Sequence, residues 1–275
     1  CNFLQMAGGR PWGVYAGWTF DPDVTVYVDA SGGGDYVNIQ DGMDAVVEGG
    51  TVWVRPGTYT GALNRDLTPR GVNMRVVSTD GPDATIIDCQ DLGRGFNFQG
   101  QETNACLAEG FTIRNGVGAP GGGVRCYFNS SPTLRDLRIE DCVSTGNGGG
   151  IFCGVGASPV IDSVAITGCS ATGSGGALSF TTTTASVTGV TVYGCSSGTN
   201  AGGIAFSGAN CRPTIENTIV AGSTSGPGFS CVDGAGPTIV HSCVHGNAGG
   251  DSLCGTHYEN TVADPLFCDA AGGAL

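Results

Sequence analysis

Gly122-Gly123-Val124, Gly149-Gly150-Ile151, Gly176-Ala177-Leu178, Gly202-Gly203-Ile204 and Pro227-Gly228-Phe229 decide the fold. Their last residues return at spacings of 27, 27, 26 and 25. A second series runs in phase: Phe111-Thr112-Ile113, Leu137-Arg138-Ile139, Val164-Ala165-Ile166, Val190-Thr191-Val192 and Thr218-Ile219-Val220. A third marks a corner before a short strand, at Pro132-Thr133-Leu134, Pro159-Val160-Ile161, Pro213-Thr214-Ile215 and Pro237-Thr238-Ile239. Ala185-Ser186-Val187 fills the same slot without its proline. Each unit is three short alternating strands separated by turns, and one such unit cannot bury its apolar face alone, so the units must stack.

The apolar residues alternate at period two, the spacing of strands and not of helices. Turn residues interrupt too often for helices of ordinary length. Three strand types in fixed order, once per repeat, require a parallel β-helix in which each coil lies about 4.8 Å from the last. The pattern runs from Val24 to Phe267, which at about 26 residues per coil makes roughly nine coils. The expected organisation is an aromatic arm over residues 1–23, one β-helix domain over 24–268, and a tail over 269–275. Within the domain, Tyr36 to Val47 places Ile39, Met43, Val46 and Val47 on one helical face. That predicts a short N-terminal capping helix over 36–47, ended by Gly49-Gly50 and closing the first open coil.

Asp35-Tyr36 through Ile39-Gln40, then Gly50-Thr51-Val52-Trp53-Val54 and Pro56-Gly57-Thr58-Tyr59, resemble the opening of right-handed parallel β-helices of the pectate-lyase-like superfamily. The Gly-Gly-apolar repeats are similar to those of polymorphic outer-membrane autotransporters and other bacterial surface β-helices. The resemblance implies an all-β, right-handed solenoid. It does not single out a function, because this fold carries lyases, hydrolases, adhesins and phage spikes alike.

Glycine takes 50 of 275 positions, as a chain with several turns per coil needs. The net charge is −13, and all eleven positive residues are Arg. That balance argues against nucleic acid, which needs a dense basic surface, and against strongly anionic sugar polymers unless bound metal bridges the charge. Thirteen cysteines point to an oxidising compartment, hence a secreted or cell-surface protein. Their places in the repeat are informative. Cys142, Cys169 and Cys195 each follow Ile139, Ile166 and Val192 by three residues; Cys126, Cys153 and Cys231 follow Val124, Ile151 and Phe229 by two. Such columns are either rung-to-rung disulfides or ladders of buried free thiols. Membrane attachment would come only through a lipid on Cys1.

Enzymes on this fold place acids and bases on the outward face of one strand over neighbouring coils, so the resemblance directs attention to such a row. The outward triplet position holds Thr112, Arg138, Ala165, Thr191 and Ile219, which is no catalytic row. Asp136, Glu140 and Asp141 near Arg135 and Arg138 read as a solvated surface with modest ion pairs. All three histidines lie between 241 and 257. His241, Cys243 and His245, at i, i+2 and i+4, share one face of an extended strand, with Cys254 and His257 one turn later. Imidazole and thiolate could hold zinc or copper there; the alternative is a polar stripe with Cys243 disulfide-bonded to Cys254 or Cys268. Gly249-Gly250-Asp251 hints at calcium without the period such repeats need. No cofactor is required by these readings.

The arm carries Phe3, Leu4, Trp12, Tyr15, Trp18 and Phe20, and the last strand is followed by no helix or polar repeat. An open stack presents unpaired strand edges to another chain. The sequence is therefore read first as an exported structural protein whose partner is itself, polymerising head to tail through the arm. A polysaccharide-active lyase or hydrolase, and a glycan-binding adhesin using the flat outer face, are the alternatives.

Overall fold

The structure, a computed structural model, describes residues 24–266. The expected arm at 1–23, with Phe3 through Phe20, and the tail at 269–275 lie outside them. Parallel strands stack into a solenoid with three principal faces. Ten strands build the first, from Thr25–Val28 and Thr51–Val54 through Thr133–Glu140 and Val160–Thr167 to Thr238–Val240 and Thr256–Tyr258. The second face includes Gly57–Tyr59, Thr85–Asp88, Thr112–Arg114, Thr191–Tyr193, Ile219–Ala221 and Cys243–His245. The third has six strands: Phe96–Phe98, Val124–Cys126, Ile151–Gly154, Leu178–Thr181, Ile204–Ser207 and Phe229–Val232.

The corner between the first and second faces is one residue in the left-handed region, repeated on every rung. Asp136, Ser163, Asn217 and His241 hold φ of 47°, 56°, 50° and 49° there, and Gly189 holds 65°. The two long strands Thr133–Glu140 and Val160–Thr167 run through this corner and join both faces into one sheet. Before the third face the coils approach closely at Gly122, Gly149, Gly176 and Gly202. A Cβ on Gly149 would lie 2.2 Å from the Gly176 carbonyl oxygen, and Gly148 beside it holds φ 69°.

Register alignment turns the sequence repeats into inward columns. Leu134, Ile161, Val187, Ile215 and Ile239 line up on the first face, and Ile113, Ile139, Ile166, Val192, Val220 and Val244 on the second. All are fully buried. On the third face Phe180 stacks on Phe206 at 5.6 Å, and Phe206 on Phe229 at 6.4 Å. Offset stacking of this kind adds to the gain from area burial.

The N-terminal end of the described stack is covered; the last strand at the other end, Thr256–Tyr258, is exposed. A helix, Ile39–Ala45, is shorter than the predicted 36–47. Tyr36 bridges to Val28 and Val46 is extended, so pairing with the first strand and exit toward the next both cut into the helical pattern. Gly42 lets the helix sit on the first coils: a Cβ there would be 2.6 Å from Val28 Cγ2 and 3.1 Å from Val52 Cγ1. At the far end the inward slots turn polar. His257 takes the position after Ile239, and the buried Ser242 and Asn247 spend their side chains on backbone groups.

Candidate functional site

The histidine region does not assemble as an extended strand would have it. His241 occupies the left-handed corner, so strand alternation begins only at Cys243. Corner geometry stacks Asn217, His241 and Glu259, with φ of 50°, 49° and 56°. His241 Nε2 meets Glu259 Oε2 at 2.5 Å, and Nδ1 lies 3.7 Å from Glu216 Oε1. All three side chains are roughly half exposed. Cys243 donates its S–H to the Ala263 carbonyl at 3.1 Å, and His245 Nδ1 is 2.9 Å from the Val262 carbonyl oxygen. Burial, with Asp251 and Asp264 nearby, pushes the Cys243 thiol up and away from the thiolate a metal needs. His257 is on a different face. Among the described residues no three His, Cys, Asp or Glu side chains are grouped to hold a metal ion. The donors of the zinc or copper expectation are held separately: the corner sets His241 against Glu259, backbone carbonyls hold Cys243 and His245, and His257 lies on the first face. What remains is a shallow cleft of about 460 Å³, lined by Asn217, Ile219, His241, Cys243, Glu259 and Thr261.

The calcium hint at Asp251 has an ordinary explanation. Its carboxylate accepts from the N–H groups of Gly246 and Asn247 at 2.9 and 3.0 Å, and from Asn247 Nδ2 at 2.8 Å. Partial burial raises its pKa, but these hydrogen bonds outweigh that and hold it below the usual carboxylate range. Asp251 is an anchor for the last coils.

Thr112, Arg138, Ala165, Thr191 and Ile219 do share one outward column. The acids around it face arginines. Arg135 lies 3.9 Å from Glu109 and 3.3 Å from Asp162, Arg114 is 3.0 Å from Asp88, and Arg138 pairs with Asp83. Asp136 and Asp141 are left-handed corner residues, with φ of 47° and 51°, a conformation Asp tolerates better than most.

The cysteine columns divide. Cys126 and Cys153 are register partners, both buried and both free thiols. Cys142, Cys169 and Cys195 are likewise buried and free, with sulfur contacts to backbone carbonyls at 3.3 to 3.9 Å. Cys231 behaves differently: it is bonded to Cys254 at a Cα separation of 5.9 Å. Cys254 is therefore not available to Cys243, which is free. The other suggested partner, Cys268, lies outside the described residues.

A feature that the sequence reading passed over lies at the corner just after a third-face strand, Val124–Cys126. Tyr127 and Phe128 follow Cys126 at the corner where later coils carry Gly154-Val155, Thr181-Thr182 and Ser207-Gly208. Phe128 is 51% exposed although its φ is +51°, and Val155, at the matching corner of the next coil, is 45% exposed at φ +52°. The Phe128 ring meets Tyr127 edge-on with centroids 4.2 Å apart, and the nearly buried Phe152 lies 6.1 Å from Tyr127. Arg125 stands over the Tyr127 ring at 5.7 Å. Its Nε donates to Asn97 Oδ1 at 2.9 Å and its Nη2 to Gln99 Oε1 at 2.7 Å. The signal available in sequence was one aromatic pair in a slot that later coils fill with non-aromatic residues.

With faces and register established, the family model for the right-handed beta helix region matches residues 94–267. The chain belongs to that family. Among solved structures it resembles a pectate lyase, Pel9A, with 15% identity over 87% of this chain and 76% of that one, at a TM-score of 0.50. It also resembles a rhamnogalacturonan lyase, with 14% identity over 82% of this chain and 69% of that one, at a TM-score of 0.49. A pectin methylesterase from Aspergillus niger is 17% identical over 93% and 96% of the two chains, at a TM-score of 0.41. At these identities the likeness concerns the fold. No curated protein matches the sequence.

Proposed function

We propose that this β-helix is an extracellular polysaccharide-binding protein whose contact surface is the corner and outer edge of the third face. The observation that carries this reading is Phe128. A bulky side chain in the left-handed region costs about 1–3 kcal/mol, and here that cost exposes an aromatic ring instead of burying one. Other coils satisfy the same corner with Val155, Thr182, Gly208 or Asp233, so the backbone does not require Phe. An exposed ring beside Tyr127 and the planar polar groups of Arg125 and Gln99 offers an apolar face for sugar C–H groups and a hydrogen-bonding rim for hydroxyls. The Cys231–Cys254 disulfide supports an oxidising, exported setting.

The arm on which self-assembly would rest lies outside the described residues. The helix Ile39–Ala45 covers the first coil, which disfavours coil-on-coil stacking at that end, whereas the last described strand, Thr256–Tyr258, is exposed. Calorimetric titration and glycan arrays with neutral and acidic polysaccharides test the proposal. Binding without turnover, weakened in Phe128→Ala, is the expected result. Release of shortened or unsaturated products would make the protein an enzyme instead, and no binding to any polysaccharide would remove the reading altogether.

A further inference from the structure

The charge arrangement beside this aromatic corner narrows the ligand. Arg55, Arg70, Arg94, Arg114, Arg135 and Arg138 each have a carboxylate within ion-pair distance. Arg125, like Arg65, Arg75 and Arg212, has none among the described residues. It is nevertheless held in place by two neutral amide oxygens, Asn97 Oδ1 and Gln99 Oε1, and by the face of Tyr127. Asn97 is itself only 9% exposed, which fixes one side of the guanidinium.

A guanidinium carries five N–H donors. One on Nε and one on Nη2 are used, so two on Nη1 and one on Nη2 remain, which is the end-on pair that matches a carboxylate or sulfate. A second guanidinium adds to the local positive field. Arg94 is mostly buried, pairs with Asp66 at 3.2 Å and donates Nε to the Gly121 carbonyl at 3.0 Å. Its pKa is lowered by burial first and then by the charge of Arg125, so the two cations feel each other.

We propose that Arg125 is the anion-recognising residue of a subsite for acidic sugars, with the ring of the same sugar or its neighbour resting on Tyr127 and Phe128. This rests on the polysaccharide-binding reading and specifies its ligand. The acidic group is a carboxylate or a sulfate ester on the sugar; both present paired anionic oxygens to the free end of the guanidinium. A neutral sugar would leave the uncompensated charge without a partner.

Three probes separate the possibilities: a hexuronic-acid oligomer, the same chain with its carboxylates reduced to primary alcohols, and that reduced chain carrying sulfate esters. Each is titrated into the full chain and into Arg125→Gln, with thermal melting to confirm that the variant is folded. Binding of the uronate or the sulfated chain should exceed that of the reduced chain. Arg125→Gln should cut acidic binding by about tenfold or more, change neutral binding by less than about twofold, and abolish most of the salt dependence. Arg125→Lys should recover only part, since it restores charge without the fork. Equal binding of all three chains, unaltered by Arg125→Gln, would overturn the subsite and leave polysaccharide binding standing. Binding of none would remove both.

Discussion

Cys126 and Cys153 stand opposite each other in neighbouring rungs of the third face, both fully buried, and no bond joins them. Parallel register holds two inward Cβ atoms about a strand spacing apart, wider than the roughly 3.8 Å a disulfide prefers, with their bonds pointing the same way. The bonded pair, Cys231 and Cys254, joins positions that are not register partners. Buried thiols here act as small apolar side chains. Desolvation raises all those shifted: Cys106 is pushed up to about 12, and Cys89, Cys126, Cys169 and Cys211 are pushed up as well.

Native-state alkylation should therefore modify Cys243 slowly and leave the eight buried thiols from Cys89 to Cys211 untouched until the protein unfolds, because the thiolate is the reacting species. Peptide mapping of pulse-labelled protein measures this. Fast labelling of Cys126 or Cys153 at neutral pH would mean that the third face opens readily.

Loss of the Cys231–Cys254 bond should be felt locally. The two residues are 23 apart, and closing a loop of that size is worth about 3 kcal/mol in the chain-entropy account. Stacked repeats couple mainly to their neighbours. Cys254→Ser should therefore raise amide exchange in Thr238–Val240 and Cys243–His245 while leaving Thr51–Val54 near its original protection. Uniform destabilisation along the stack would contradict that nearest-neighbour behaviour.

The stack was legible because each inward column returns at nearly constant spacing, and a period-two pattern cannot serve a helix. Corners were less so. His241 looks like part of an alternating strand with Cys243 and His245, and only the stacking of Asn217, His241 and Glu259 assigns it to a left-handed turn. Helix limits were blurred because Tyr36 is apolar at helical spacing yet pairs with Val28. Pairing of Cys231 with Cys254 depends on where a turn folds in space, which repeat position does not encode. Tyr127 and Phe128 passed unremarked because they interrupt the repeat, and attention to the period favours residues that obey it.

Acid should weaken the fold below about pH 4. Asp29, Asp88 and Asp251 all have lowered pKa values. At Asp29 the Ser31 hydroxyl and N–H are the largest influences; at Asp88 partial burial opposes ionisation but hydrogen bonds from Asn115, the Gln90 N–H and Arg114 prevail. A depressed folded pKa gives stability that is complete above the unfolded value of about 3.9 and is lost as pH falls through the folded value. Melting temperature should stay flat from about pH 7 to 5 and drop below about 4. Asp251→Asn should melt lower at pH 7, with its curve meeting that of the parent in acid. A gap that persists undiminished at about pH 2 would mean that Asp251 acts by shape and not by charge.

Phe128 offers the sharpest separation of folding from function, because its two effects have opposite signs. Asn accepts the left-handed corner with less strain than Phe, so Phe128→Asn relieves part of a backbone penalty of about 1–2 kcal/mol. It also gives up the edge-on contact with Tyr127, worth about 0.5–1.5 kcal/mol. Stability should therefore be unchanged or higher by up to about 1 kcal/mol. Polysaccharide affinity should fall by about tenfold or more, since covering a ring of this size is worth about 1.5–3 kcal/mol. Chemical denaturation and titration on the same preparations give both numbers. A clear loss of stability with affinity retained would make Phe128 part of the fold's own packing and take away the observation on which the binding surface rests.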